Sequence, residues 1–445
     1  MASSYHRYAV LCITLLTMTM LIGNSVLFNF TVICMDPSER ALQSSNATRF
    51  YTPEEEGWLI AAPPIGHIFG TIPAIFLTDR IGMRLSFSIY GLISGISTFL
   101  FAFSASNLYV ATLLRFFQGI AMASAFVAVG NVPIEYGQVK RKALFLSLLS
   151  CAYQLGPTSA IPSSALFCSM PIGWPGVYYL FGVITLFSFA AFFVIYRNAI
   201  PSRVKSSAKV LPVEDGTSRP KITHMPPYWD MFTSLSVWGI FSTGIGDSLA
   251  FLVFFFYGPI YVNKVLHFEI EQTGILAALP HLCSMLAKMA TGFFLHNTGF
   301  KDSSKVVLIS NIVIQGLMTV NLLVLTTLGS GSPFVAEALI VLTVTLAGIH
   351  FIAMMTAAQI VAQQHTHVIS CAMAALESLF GLLLPPFVST LAPHHTSDEW
   401  VRVFYCIIGF LIVTNIIFAL ATKLKPAEWT KEDHNTKRTE VVHIE

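Results

Sequence analysis

The sequence predicts an all-α membrane protein: twelve transmembrane helices arranged as two six-helix bundles. Three observations carry this reading. Apolar residues make up 54% of the 445 and charged residues only 11%, against roughly 25% charged in a soluble domain; the mean hydropathy is +0.69. Apolar runs long enough to cross a bilayer recur along the chain. One long basic stretch divides those runs six and six. The same composition excludes a disordered chain, a coiled coil and a disulfide scaffold. Twelve helices of ~22 residues would use about 264 residues and leave roughly 180 for loops and tails.

The first run, 8–34, is longer than the apolar core of a signal peptide and reads as an uncleaved first span. Five more follow at 57–78, 83–104, 107–133, 143–168 and 173–196. The second six are 234–262, 271–296, 304–328, 333–358, 367–392 and 400–421. Gly156-Pro157 and Pro385-Pro386 lie inside spans, where neighbouring helices can satisfy freed backbone groups. The expected organisation is a first bundle over 1–196, a cytosolic linker over 197–233 and a second bundle over 234–421. A mixed-charge tail over 422–445 is expected to be disordered.

Lys and Arg placement sets the expected orientation. His6 and Arg7 precede the first span, Arg80 and Arg84 lie between the second and third, and Lys140, Arg141 and Lys142 between the fourth and fifth. The linker carries Arg197, Arg203, Lys205, Lys209, Arg219 and Lys221. Lys301 and Lys305 separate spans eight and nine, and Lys423, Lys425, Lys431 and Lys437 follow the last. All fall on one side, so both termini are expected in the cytosol. The other side carries Glu54, Glu55, Glu56 and the sequon Asn46-Ala47-Thr48, which makes Asn46 the expected glycosylation site. The expected location is the plasma membrane or an intracellular vesicle membrane. The seven cysteines sit mostly in or beside apolar runs and show no C-x-x-C spacing; they read as small apolar packers.

The loop Asp79-Arg80-Ile81-Gly82-Met83-Arg84 resembles the G-x-x-x-D-R-x-G-R-R loop of the major facilitator superfamily, with Ala74 or Ile75 where the first glycine would stand. Other segments resemble the anion:cation symporter branch, which holds phosphate, sialic-acid and vesicular glutamate transporters. They are Leu114-Arg115-Phe116-Phe117-Gln118-Gly119 in span four, Gly173 to Gly182 at the start of span six, and Thr233 to Trp238 at the start of span seven. Leu276 to His281 in span eight and Asp398 to Phe404 at the start of span twelve complete the series. The matches are colinear from about Thr52 to Trp429.

The resemblance implies a cytosolic gate at Asp79, Arg80, Gly82 and Arg84, and a substrate or coupling role for Arg115. Read alone, the loop is a basic turn obeying the charge rule, and Arg115 could pair with a neighbouring acid. Arg115 offers forked donors suited to carboxylate or phosphate. The departures are specific. The family's acid seven residues after the arginine is Met122 here, and the span-seven arginine of the acidic vesicular members is Asp247. Gly23-Asn24-Ser25 lacks the span-one arginine, and Ile60 stands in place of the span-two histidine.

Other polar groups within spans fill out the candidate site. Gln118, Asn131 and Tyr153 are expected to join Arg115 in binding substrate. Gln154 is a further polar residue of that half, and interhelical hydrogen bonds are the plainer reading for Asn131, Tyr153 and Gln154. Asp247, Glu377, His67 and Lys288 are the candidates for ion coupling, with Asp247 or Glu377 as the displaced coupling acid. The plainer readings are that Lys288 pairs with one acid and that His67 and His350 each hydrogen-bond a carbonyl. Gly244-Ile245-Gly246-Asp247 reads as a flexible helix segment. The Phe251 to Phe256 run reads as lipid-facing or packing surface.

No P-loop, H-E-x-x-H, G-x-S-x-G or Cys/His cluster is present. The resemblance therefore implies secondary transport of an organic or inorganic anion by alternating access, coupled to H⁺ or Na⁺. No enzyme activity, cofactor, metal or nucleic-acid partner is expected, and the functional unit is expected to be a monomer in the bilayer. The rival readings are an uncoupled facilitator or exchanger, and a sensor of the same fold that does not transport; the missing acid at Met122 motivates both.

Overall fold

The structure, a computed structural model, describes residues 4–35, 50–137, 142–197, 228–298, 304–328 and 331–430. The expected sequon at Asn46, the basic residues Lys140, Arg141 and Lys301, linker residues 198–227 and the tail from Lys431 onward lie outside the described residues. Among those described, every regular element is helical. In the first half these are α1 (Ser4–Thr31), α2 (Pro53–Ile81), α3 (Met83–Ser104), α4 (Leu108–Tyr136), α5 (Lys142–Ser150), α6 (Ala152–Ser169) and α7 (Pro175–Ile195). The second half has the short α8 (Tyr228–Phe232), then α9 (Leu235–Ile260), α10 (Ile270–Thr298) and α11 (Ser304–Leu328). It ends with α12 (Pro333–Ala362), α13 (Thr366–Leu391) and α14 (Ser397–Ala421).

Eleven of these helices are long and apolar enough to cross a membrane. The remaining crossing, fifth in order, is divided at Cys151 into α5 and α6. Its polarity explains the difference: α6 carries Gly156, Pro157, Pro162 and several Ser residues. Helix α9 continues into one π-helical turn over Tyr261–Val265.

Local chemistry sets the helix ends. Thr52 caps α2 through a capping box with Glu55, Pro53 follows at the first turn, and Glu54 to Glu56 face the positive end of the helix dipole. Asn107 caps α4 by accepting from the Tyr109 and Val110 amides. Thr396 and Glu399 form a second capping box at α14. Gly82 joins α2 to α3 with φ at +84°, a conformation that only glycine adopts without cost.

The two halves repeat one packing scheme. In the first, α2 packs on α4, α3 on α7 and α4, and α1 on α6, α7 and α4. In the second, α10 packs on α12, α11 on α14 and α12, and α9 on α13, α14 and α12. The scheme is identical once the first span is matched to the seventh. The halves meet through α6 with α10 and α2 with α13, two contacts that exchange under the same matching, and through α1 with α9. The chain is thus built from two structural repeats related by a pseudo-two-fold axis.

Two expectations need correction. Cys34 after α1 and Cys168 in α6 form a disulfide, so these two are not simple packers; their separation of 134 residues hides the pairing from the sequence. The start of the tail is not disordered. Leu424 and Trp429 are buried against the ends of α9, α12 and α13, and the Ala427 amide donates to the Val361 carbonyl. Apolar burial outweighs the charged residues that surround Trp429 in the sequence.

Candidate functional site

Helices α1 and α14 begin and end at one face of the bundle, called here the terminal end; the opposite face is the far end. Four ionisable side chains of the second half meet at one depth. Asp247 on α9, Lys288 on α10, His350 on α12 and Glu377 on α13 each stand ten to twelve residues from the terminal end of their helix. That is roughly 15–18 Å along the axis. His350 Nδ1 lies 3.2 Å from Asp247 Oδ1. The two atoms are close enough for an ion contact yet not aligned for a hydrogen bond, and neither has another partner among the described residues. Lys288 lies within electrostatic reach of both Asp247 and Glu377, and its ammonium sits 4.3 Å above the Phe351 ring. Lys288 thus faces two acids and is not exclusively paired with either.

The glycines beside Asp247 have a packing role. A Cβ on Gly246 would run into Gln315 and Thr414, and one on Gly244 into Met373. They allow close approach, where the sequence suggested flexibility. Phe254, Phe255 and Phe256 are buried, so that run is packing surface.

The first half closes over this layer with α6 and α2. The Gln154 amide, oriented with its oxygen toward Lys288, accepts from Nζ at 3.1 Å and donates to the Ser150 carbonyl. Tyr153 packs at a tilt on Phe126, lies within electrostatic reach of Glu377 and carries a buried hydroxyl without a hydrogen-bond partner among the described residues. His67 Nδ1 is 2.7 Å from Ser378 Oγ on α13. Its bond therefore crosses between halves to a hydroxyl, and not to a carbonyl of its own surroundings.

The four expected substrate residues do not form one group. Arg115 is 1% exposed and sealed within the first half. Its Nε donates to the Leu59 carbonyl at 3.0 Å and Nη1 to the Ser25 carbonyl at 2.8 Å. Longer contacts reach Gln118 Oε1 and Asn29 Oδ1, both at 3.5 Å, and the guanidinium lies over the Phe28 ring. No carboxylate pairs with it among the described residues. The neighbouring acid that would have made it a simple structural pair is therefore absent from that set; carbonyl dipoles hold the charge. Gln118 is fully buried and donates to Thr98. Gly119 of the same motif has a packing reason, since a Cβ there would strike the Pro63 carbonyl of α2. Asn131 lies sixteen residues beyond Arg115 on α4, about 24 Å along the axis, too far to share a small anion with it. Tyr153 alone of the four reaches the central layer.

The expected gate loop engages its own half. Asp79 and Arg80 are exposed, and Arg80 lies over Phe76 of its own helix. Arg84 donates from Nε to the Phe193 carbonyl at 2.6 Å and stacks on that ring. The far end makes contacts between the halves. Asn29 donates to the Phe255 carbonyl, Glu56 Oε1 lies 3.5 Å from His395 Nε2, and Gly57 and Gly274 pack on Ser389 and Ala165.

Sequence reading missed Thr243, Gln315, Thr414 and Ser378 as neighbours of the ionisable layer, and named Gln154 without its partner Lys288. At the far end His394 faces Glu399 and His395 faces Glu56. The signal available was the presence of each polar side chain inside an apolar span; which face each occupies depends on helix rotation.

Comparisons with known proteins agree with this architecture. A bacterial homologue of the human lysosomal transporter Spinster, solved in an inward-facing and unoccupied conformation, superposes with a TM-score of 0.73 at 13% identity, over 95% of this chain and 98% of that one. A D-xylose-proton symporter gives 0.68 at 13% identity over 94% and 98%. In sequence the chain is 23% identical to sialin of Homo sapiens, over 86% of this chain and 79% of sialin. It is 23% identical to sodium-dependent phosphate transport protein 1 of Mus musculus, over 86% and 81%. Vesicular glutamate transporter 2.1 of Danio rerio matches at 21%, over 80% and 62%. The family and these relatives are transporters, not enzymes. The family model described as Major Facilitator Superfamily matches residues 10–385, and the chain belongs to that superfamily.

Proposed function

We propose that this protein is a secondary transporter of organic or inorganic anions, coupled to H⁺ or Na⁺ and working by alternating access. The observation that carries the reading is the central layer. Lys288, Asp247 and Glu377 from three helices of the second half face Tyr153 and Gln154 of the first, where the two repeats meet. The likeness to sialin and to the phosphate and glutamate transporters named above supports an anionic substrate. Lys288 and the unpartnered Tyr153 hydroxyl would face the anion; Arg115, sealed here, would engage it in the alternative state. Asp247 or Glu377 would carry the coupling charge.

The contacts between the halves at the far end, beside the gate loop's contacts to Phe76 and Phe193 of its own half, would fit a state open at the terminal end. The basic residues at the terminal end and the disulfide at the far end support cytosolic termini, because disulfides persist in oxidising compartments. Asp79, Arg80, Gly82 and Arg84 would then close the cytosolic side in the other state. The membrane would be the plasma membrane or that of a vesicle, and the working unit a monomer.

The test is uptake by purified protein in proteoliposomes, with labelled phosphate, sialic acid, glutamate and aspartate, with and without pH, Na⁺ and voltage gradients. Gradient-driven uptake that Arg115→Ala or Lys288→Ala abolishes is expected. Uptake indifferent to every gradient would favour an uncoupled exchanger, which Met122 in place of the usual acid motivates. No uptake of any probe by folded protein would overturn the transporter reading for these anions.

A further inference from the structure

We propose that Asp247 and His350 form one shared proton-binding site whose hydrogen-bond order is set by Thr243, Gln315 and Thr414. Its use in coupling rests on the transporter reading above; proton binding itself does not.

The argument follows hydroxyl hydrogens across three helices. Thr414 Oγ1 donates to the Phe410 carbonyl at 2.7 Å, so its only hydrogen is used on its own helix. It therefore accepts from Gln315 Nε2, 2.8 Å away, and that nitrogen also faces the Leu411 carbonyl. Gln315 is thereby oriented with Oε1 toward Thr243. Thr243 donates to Oε1 at 2.6 Å and has no hydrogen left. His350 Nε2 lies 3.1 Å from Thr243 Oγ1 and must be the donor there.

The other ring nitrogen, Nδ1, faces Asp247 Oδ1 at 3.2 Å. A neutral imidazole carries a single N–H. With that N–H spent on Thr243, a neutral His350 beside an ionised Asp247 sets two lone pairs against each other. One further proton between them, on either atom, removes the conflict. The ring is shut off from bulk water, since His350 is 0% exposed, while the Asp247 side chain keeps a 9% exposure through which a proton can leave.

The other charged groups facing the pair are Lys288 of α10 and Glu377 of α13, with Tyr153 and Cys151 of the fifth span beyond them. His281 of α10 lies against Phe251 and Phe255, one turn along α9. Helices α11 and α14 contribute the uncharged Gln315 and Thr414. When the proton leaves, to water or to the Glu377 carboxylate, Asp247 keeps its negative charge and loses its compensation from His350. Lys288 is then drawn toward Asp247 and away from Gln154. Only an N–H or O–H bond is broken, yet a contact between the halves is released with it.

The test counts protons on the purified full-length chain in detergent. Uptake is titrated between about pH 9 and about pH 5, which brackets histidine. It is compared among wild type, Asp247→Asn, His350→Gln and the double variant. Each single change is expected to remove about one proton per molecule, and the double change no more than either, because the proton is shared. Wild-type counts in the single variants, or additive losses in the double, would overturn the proposal. Thr243→Val provides a second route if those variants do not fold. It frees the neutral ring to give its one N–H to Asp247, so the count is again expected to fall by about one; an unchanged count counts against the pair. Uptake of the same labelled anions separates the two readings. If wild type transports none of them, the proton count still decides the pair. If pH-driven uptake persists in both single variants, the pair's coupling role is lost while the transporter reading stands.

Discussion

His67 of α2 and Ser378 of α13 are joined at 2.7 Å across the interface between the halves. The bond is part-buried at mid-depth and made by two helices that must separate if the far end is to open. Such a bond is worth about 1 kcal/mol. Ser378→Ala is therefore expected to raise the share of molecules open at the far end roughly fivefold. A single reporter cysteine at Ser389, which packs on Gly57 at the far end, should react faster with a membrane-impermeant maleimide in this background. An unchanged rate would mean that the tie does not bias the equilibrium.

Gly246 is expected to tolerate no side chain. Its missing Cβ faces the Gln315 and Thr414 side chains that order the polar layer. Gly246→Ala should cost about 1–3 kcal/mol by overpacking and lower the thermal unfolding midpoint in detergent. Gly258→Ala, where a Cβ meets nothing within 4 Å, is the control and should unfold at the wild-type temperature.

Arg115→Lys keeps the charge and removes the fork. The guanidinium reaches carbonyls on α1 and α2 together, which a single ammonium cannot do in the same geometry. Charge-assisted bonds are worth about 1.5–3 kcal/mol each, so a loss of about 2 kcal/mol in stability is expected. Equal unfolding midpoints for the two proteins would show that those carbonyls do not need the fork.

The disulfide gives a chemical prediction. Peptides containing Cys34 and Cys168 should run as one linked species in mass spectrometry without reductant and separate after reduction. Cys34→Ser is expected to lower stability by about 2–4 kcal/mol. Finding both thiols free in protein purified under oxidising conditions would contradict the pairing.

Much of the architecture was legible because its causes are local. Long apolar runs mark most of the helices. The division of the fifth span was not legible, since its apolar run is continuous through Cys151 and only the Pro and Ser content of Ala152–Ser169 hints at weakness. In the site, Asp247, Lys288, Glu377, Tyr153 and His67 stand out as polar groups in apolar surroundings. Their partners do not. His350 is 103 residues from Asp247, and Ser378 is 311 from His67; both pairings depend on which helix faces meet. Arg115 shows the opposite case. Its motif is plain in sequence, but its burial among carbonyls depends on how α1 and α2 wrap it.

The matched packing of the two halves has a further meaning. Helix α2 meets α13 as α10 meets α6, so each half presents the other with the same pair of surfaces. That is the rule of an isologous dimer, in which one patch serves both partners. The chain behaves in this respect as two subunits written on one polypeptide. Co-expressed as separate fragments cut within 198–227, the halves are expected to associate through the α2–α13, α6–α10 and α1–α9 contacts, and co-purification of one fragment with the other checks it.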